Sequence, residues 1–216
     1  MVQETPRTGL GADPLQKTRS KNAVVIGVDE AGRGPLAGPV VAAAVVLGVQ
    51  LPKGVADSKT ISAGRRAKLD EQLRASCQWA VAVVEPAEID RVNIFQATML
   101  AMTRCVGELT AKLDASVETV LIDGNQTPET RCSDWIWPAR AIVGGDGSEA
   151  CIGAASIIAK EWRDRLMIAA ASEHPNYGWE RNKGYGTKEH MEALRVHGPT
   201  PLHRQSFGPV AQASLL

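Results

Sequence analysis

Excess charge of either sign is missing from this sequence: 24 basic residues are matched by 24 acidic ones over 216 positions, giving a formal net charge of zero. A chain-wide basic signature for polyanions is therefore excluded, and any such partner must be held locally. Long apolar runs are missing too. The longest, VVAAAVVL at 40–47, is far below the roughly 18 residues of a membrane span, and no basic-then-apolar export segment opens the chain. The expected location is the cytoplasm, with no membrane partner. Cysteine is scarce: Cys77, Cys105, Cys132 and Cys151 form no C-x-x-C pair and no Cys/His spacing, so neither a zinc site nor a disulfide framework is indicated. What remains is an ordinary globular balance, 44% hydrophobic and 22% charged, which predicts one soluble α/β domain.

Residues 1–22 are polar and aperiodic, with Pro6 and Pro14, and read as a disordered leader to a single domain over 23–216. AVVIGV at 23–28 and PVVAAAVVL at 39–47 are continuous runs that predict neighbouring buried strands. Ser62 is placed to cap a helix over 63–76, and WAVAVVE at 79–85 alternates as a third strand. NIFQATMLAMTRCVGELTAKL at 93–113 carries apolar residues at helical spacing. ETVLID at 118–123 and RAIVGGD at 140–146 predict two further strands. A long helix follows over 148–171, and another over 187–198 between a Thr187 cap and a Gly198 stop. Hairpin pairs mixed with helical crossovers imply one mixed five-stranded sheet flanked by helices, with a helical C-terminal part.

The predicted strands repeatedly end in acids: Asp29 with Glu30, then Asp123, then Asp146. Parallel strands bring their carboxyl ends together, where functional groups of open α/β sheets gather. At about 5 Å and an effective dielectric near 20, each pair of carboxylates repels by about 3 kcal/mol. A convergent set therefore needs a cation or protons. With oxygen ligands and no nearby His or Cys, Mg²⁺ or Mn²⁺ suits better than zinc. The same residues also allow a plainer reading, because DG at 123–124 and GDG at 145–147 are ordinary turn signals. Adjacent strand residues such as Asp29 and Glu30 also point to opposite faces.

Five motifs add a resemblance. GVDEAGRGPLAGPVVAAAV, DSKTIS, LIDGN, GAASIIAKEWRDRLM and NKGYGTKEHMEALRVHGPTPLHRQSFGPV, in this order from residue 24 to 210, together resemble ribonuclease HII, the type 2 ribonuclease H family. The resemblance implies a ribonuclease H fold and a carboxylate tetrad of Asp29, Glu30, Asp123 and Asp146 binding two Mg²⁺ or Mn²⁺ ions during catalysis. The implied substrates are RNA–DNA hybrids and duplex DNA containing single ribonucleotides, cut by a monomer to leave 5′-phosphate and 3′-hydroxyl ends. Gly32, Arg33 and Gly34, with Tyr185, are implied to sense the ribose, and Lys59 and Lys183 to contact phosphate. Arg163 and Asp164 are expected to support the site through an ion pair on their helix. Two positions depart from the family pattern: VGGDG around Asp146 lacks a lysine, and DSKTIS stands where DSKKLS is commoner. A non-catalytic nucleic-acid module and a junction resolvase are the competing classes. The retained acids argue against the first, and the GRG and KGYGTKEH elements against the second.

Overall fold

The computed structural model describes residues 23–52, 54–55 and 61–214. Lys59, most of DSKTIS and the expected leader over 1–22 lie outside the described residues. Strands β1 (Ala23–Ala31), β2 (Val40–Val46), β3 (Gln78–Val84), β4 (Ser116–Asp123) and β5 (Ala139–Ile142) form one sheet in the order β3-β2-β1-β4-β5. The β1–β2 and β2–β3 pairs are antiparallel, whereas β1–β4 and β4–β5 are parallel. The mixed sheet expected from the sequence is therefore the observed one.

The helices cover both faces. Helix α1 (Ala63–Ser76) starts at Ser62, whose hydroxyl accepts from the Arg65 amide, and packs with α5 (Ala150–Glu173) on the face carrying Ala43 and Val45. Helices α2 (Pro86–Val92) and α3 (Ile94–Thr110) cover the opposite face, where Met99, Met102, Cys105, Val106 and Leu109 of α3 meet Ile26, Val28, Val40, Ala42 and Ala44. The separate α2 is not visible in the hydrophobic spacing. Pro86 starts it directly after β3, and Asn93, at φ 69°, ends it while capping α3 through its side chain. Short helices α4 (Gly145–Ser148), α6 (Trp179–Asn182) and α8 (Gly208–Ala213) join α7 (Lys188–His197), which runs from the Thr187 cap to Gly198 as its sequence predicts.

The last strand needs a correction. β5 stops at Ile142, and Gly144 turns the chain through a left-handed conformation, so Asp146 stands on α4 rather than at a strand end. A run of β-branched residues cannot show where a four-residue edge strand gives out; the Gly144-Gly145 pair is where it does. Among the described residues, no helix is long and apolar enough to cross a membrane.

The α5 backbone lies directly against β1 at Gly27, where the strand presents no side chain. A Cβ at Gly27 would come within 2.2 Å of the Cys151 carbonyl carbon and 2.5 Å of the Ile152 amide nitrogen. These are backbone atoms that cannot turn aside. Gly27→Ala is therefore expected to lower the unfolding free energy by about 3 kcal/mol, the upper range for overpacking. Urea unfolding of variant and parent checks this, and a midpoint shift worth less than about 1 kcal/mol would show that the crossing has slack.

Candidate active site

The sheet register does the first part of the work. The parallel pairing of β1 with β4 sets Val28 beside Ile122, so the next residue on each strand, Asp29 and Asp123, emerges at the same end of the sheet. Asp123 is paired in turn with Ile142 of β5, and the chain returns from there through Gly144 into α4. The Asp146 amide, on that helix, donates to Asp123 Oδ1 at 3.3 Å. Asp146 itself is buried. All four acids named from the sequence thus stand around the carboxyl ends of β1, β4 and β5, although Asp146 reaches the place by a different element.

Asp29 and Glu30 sit opposite Ala43 and Ala42 on β2, so strand alternation assigns them to different faces. Both nevertheless feel the charge of Asp123. Burial, then the negative charges of Glu30 and Asp123, hold the Asp29 carboxyl well above the usual carboxylate range, and a hydrogen bond with Ser156 of α5 offsets only part of this. Burial also raises Glu30, against the charge and hydrogen bond of Arg33, whose Nη1 lies 3.3 Å from Glu30 Oε1. The Glu30 amide donates to Asp29 Oδ1 at 2.7 Å, tying the Asp29 carboxyl to the strand backbone.

The donor chemistry of the four acids, oxygen only, fits a hard divalent cation. Among the described residues, no three acid, His or Cys side chains close around a point by themselves.

Beside the acids runs a cleft of about 410 Å³ lined by Glu30, Ala31, Gly32, Arg66, Ser156, Ile157, Lys160 and Tyr185. Tyr185 is 45% exposed, and a Cβ at Gly34 would lie only 3.8 Å from its ring. The structure therefore brings the ring and the GRG loop together across the cleft. Lys183 is not among the lining residues. It sits at φ 51° and its ammonium donates to the Glu180 carbonyl. The expected Arg163–Asp164 pair is absent, because Asp164 takes Lys160 at 2.8 Å and Arg66 at 3.4 Å while Arg163 turns to backbone carbonyls.

Arg66, Ser156 and Lys160 are the polar lining residues that sequence reasoning did not pick out. Arg66 lies in the basic stretch SAGRRAK, where a solvated surface is the natural reading. Its partner Glu161 (2.6 Å) is 95 residues away, so no local pattern reveals the pair.

Comparison with known proteins bears on the same residues. The family model described as Ribonuclease HII matches residues 26–210. The chain is 68% identical over 195 residues to the ribonuclease HII of Novosphingobium aromaticivorans, covering 89% of this chain and 100% of the relative. It is 60% identical over 215 residues to that of Erythrobacter litoralis, covering 100% and 99%. Among solved structures, the ribonuclease H2 of Pyrococcus horikoshii superposes with a TM-score of 0.72 at 25% identity, covering 88% of this chain and 97% of that one.

One consequence of the crowded acids is measurable without substrate. A carboxyl whose folded-state pKa is raised disfavours the fold once it is ionised, and the cost disappears as pH falls toward its unfolded value. In chelator, Asp29→Asn is expected to stabilise the protein near pH 7 by at least about 1 kcal/mol, the worth of one pKa unit. The advantage over wild type should shrink on acidification to about pH 4. Thermal melts across that range check it; a destabilised variant at pH 7 would contradict the electrostatic account.

Proposed function

The chain belongs to the ribonuclease HII family and is a ribonuclease H hydrolase, a divalent-metal-dependent endoribonuclease acting on RNA in RNA–DNA hybrids; from that premise we propose that it also cuts at single ribonucleotides embedded in duplex DNA. The proposed products are 5′-phosphate and 3′-hydroxyl ends, and the proposed physiological role is ribonucleotide removal in DNA replication and repair. The observation that carries the reading is the convergence of Asp29 and Asp123 at one end of the sheet, with Glu30 next to Asp29, beside a cleft lined by Gly32 and Tyr185.

Asp29, Glu30, Asp123 and Asp146 are the proposed holders of the metal. The chemistry supplied when Mg²⁺ or Mn²⁺ is bound, two ions during catalysis, is activation of the attacking water and stabilisation of the leaving 3′-oxygen. Arg33 pairs with Glu30 and offsets part of the cost of its burial, while Ser156 hydrogen-bonds Asp29. Arg66 and Lys160, held in the cleft wall by Glu161 and Asp164, supply positive charge for the substrate's phosphates. Lys59 and Lys183 are further proposed phosphate contacts.

Selection of one ribose among deoxyriboses cannot rest on affinity. A single 2′-hydroxyl makes one or two hydrogen bonds worth about 0.5–1.5 kcal/mol each. The discrimination must then come at the catalytic step, with the hydroxyl seating the scissile phosphate correctly only when it is present. Gly32, Arg33 and Gly34 are the proposed backbone contacts, and the exposed Tyr185 ring the platform for the neighbouring sugar.

Two variants test the assignments. Asp123→Asn keeps size while removing a charge, and activity is expected to fall at least about a hundredfold; near-parental turnover would remove Asp123 from the machinery. Tyr185→Ala is expected to reduce cleavage at a single embedded ribonucleotide much more than on a continuous hybrid, where neighbouring riboses substitute for one another. Rates on the two substrates measured side by side decide it, and equal losses would leave Tyr185 as a packing residue.

A further inference from the structure

Arg163 and Arg204 are both fully buried, and both spend their guanidinium donors on main-chain carbonyls. Arg163 donates from Nε to Pro39 at 2.9 Å, from Nη1 to Lys183 at 3.0 Å and from Nη2 to Ala37 at 3.1 Å. Arg204 donates from Nε to Gly38 at 3.0 Å, from Nη1 to Arg33 at 2.8 Å and from Nη2 to Gly32. The Arg204 amide takes the Leu36 carbonyl at 2.9 Å. Of the eight carbonyls from Gly32 to Pro39, five thus accept from a guanidinium and a sixth, that of Leu36, from the Arg204 amide.

Burying a guanidinium on neutral partners is expensive. Burial, then the neighbouring charge of Arg163, push Arg204 down to about 9, and burial lowers Arg163 as well. Two such costs in one place call for a return in loop geometry. Leu36 and Ala37 spend their amides on the Gly184 carbonyl, and Gly38 spends its amide on Leu202. Among the described residues, the amides of Arg33 and Gly34 have no acceptor, and both residues are exposed. The same arginines reach the other side of the cleft. Arg163 holds the Lys183 carbonyl, two residues before Tyr185, and its guanidinium carbon lies 6.0 Å from the Tyr185 ring centre.

We infer that Arg163 and Arg204 are positioning residues for substrate recognition, locking the carbonyls of loop 32–39 inward so that the Arg33 and Gly34 amides and the Tyr185 ring face a ribonucleotide at one fixed spacing. The inference rests on the ribose-sensing reading proposed above. It accounts for Gly32 in a second way: a Cβ there would come within 2.0 Å of Arg163 Nε, so glycine is required by the arginine beneath it as well as by its φ of +98°. It also predicts that lysine cannot replace either arginine, since a single ammonium has no planar fork to span three carbonyls.

The test uses Arg204→Lys and Arg163→Lys in the full chain, with two readouts. The first is amide hydrogen exchange of residues 32–38 without substrate, with the β1 and β2 amides as a control for folding. The second is kcat and KM on a duplex with one embedded ribonucleotide and on a continuous RNA–DNA hybrid. Expected are faster exchange in the loop with the strands unchanged, and kcat on the single ribonucleotide lowered about ten- to a hundredfold, the cost of a small misplacement, with a much smaller loss on the hybrid and little change in KM. Unchanged loop exchange in both variants overturns the inference whatever the rates. Faster loop exchange with equal losses on both substrates upholds the arginines as the loop's anchors and overturns instead the ribose-sensing reading beneath. If the strand amides of both variants also exchange freely, the arginines serve the core alone and the inference falls.

Discussion

The repulsion among carboxylates at the carboxyl ends of β1 and β4 is the constraint that the rest of the site answers to. It is built in by register: once β1 and β4 pair in parallel with Val28 beside Ile122, Asp29 and Asp123 cannot avoid one another. Other elements contribute hydrogen bonds. Ser156 reaches Asp29 from α5, and the Asp146 amide reaches Asp123 from α4. Glu30 is paired with the solvent-facing Arg33. The raised Asp29 and Glu30 carboxyls are the feature that the proposed divalent cation would relieve.

The opposite arrangement lies a few residues away. Beneath the loop that follows β1, two buried arginines are satisfied by carbonyls instead of carboxylates. Buried carboxyls crowded together and buried arginines facing neutral acceptors are each unfavourable alone. The proposed reading gives the first to a metal and the second to the placing of a sugar-phosphate backbone. Between them, the cleft wall uses ordinary ion pairs: Arg66 and Lys160 are tied to Glu161 and Asp164, so their charge is held in position before any phosphate arrives.

Much of the architecture was legible in the sequence because it is written in short-range patterns. The continuous runs of β1 and β2, the alternation of β3, and the Ser62 and Thr187 caps each follow from local sterics and hydrogen bonding, and each stands as read. Asp29, Glu30 and Asp123 could be suspected because strand ends converge. Asp146 does lie beside Asp123, its amide donating to that carboxylate, but its element was misjudged, since the end of an edge strand is decided by a glycine turn and not by its apolar run. The anchoring arginines were illegible as such. An arginine in LHRQSF or in EWRDR has the look of a surface or helix-pair residue, and only tertiary structure brings Gly32 and Arg204, or Ala37 and Arg163, into contact. Sequence distance hides what a guanidinium touches.

The central claim is that these four acids form one divalent-cation site whose crowding the ion relieves. Calorimetric titration of the metal-free protein with Mn²⁺ near neutral pH measures it most directly. The account predicts saturable binding in the wild type, and affinity weakened at least about tenfold when Asp29 or Asp123 is changed to asparagine. Unchanged affinity in both variants would contradict it.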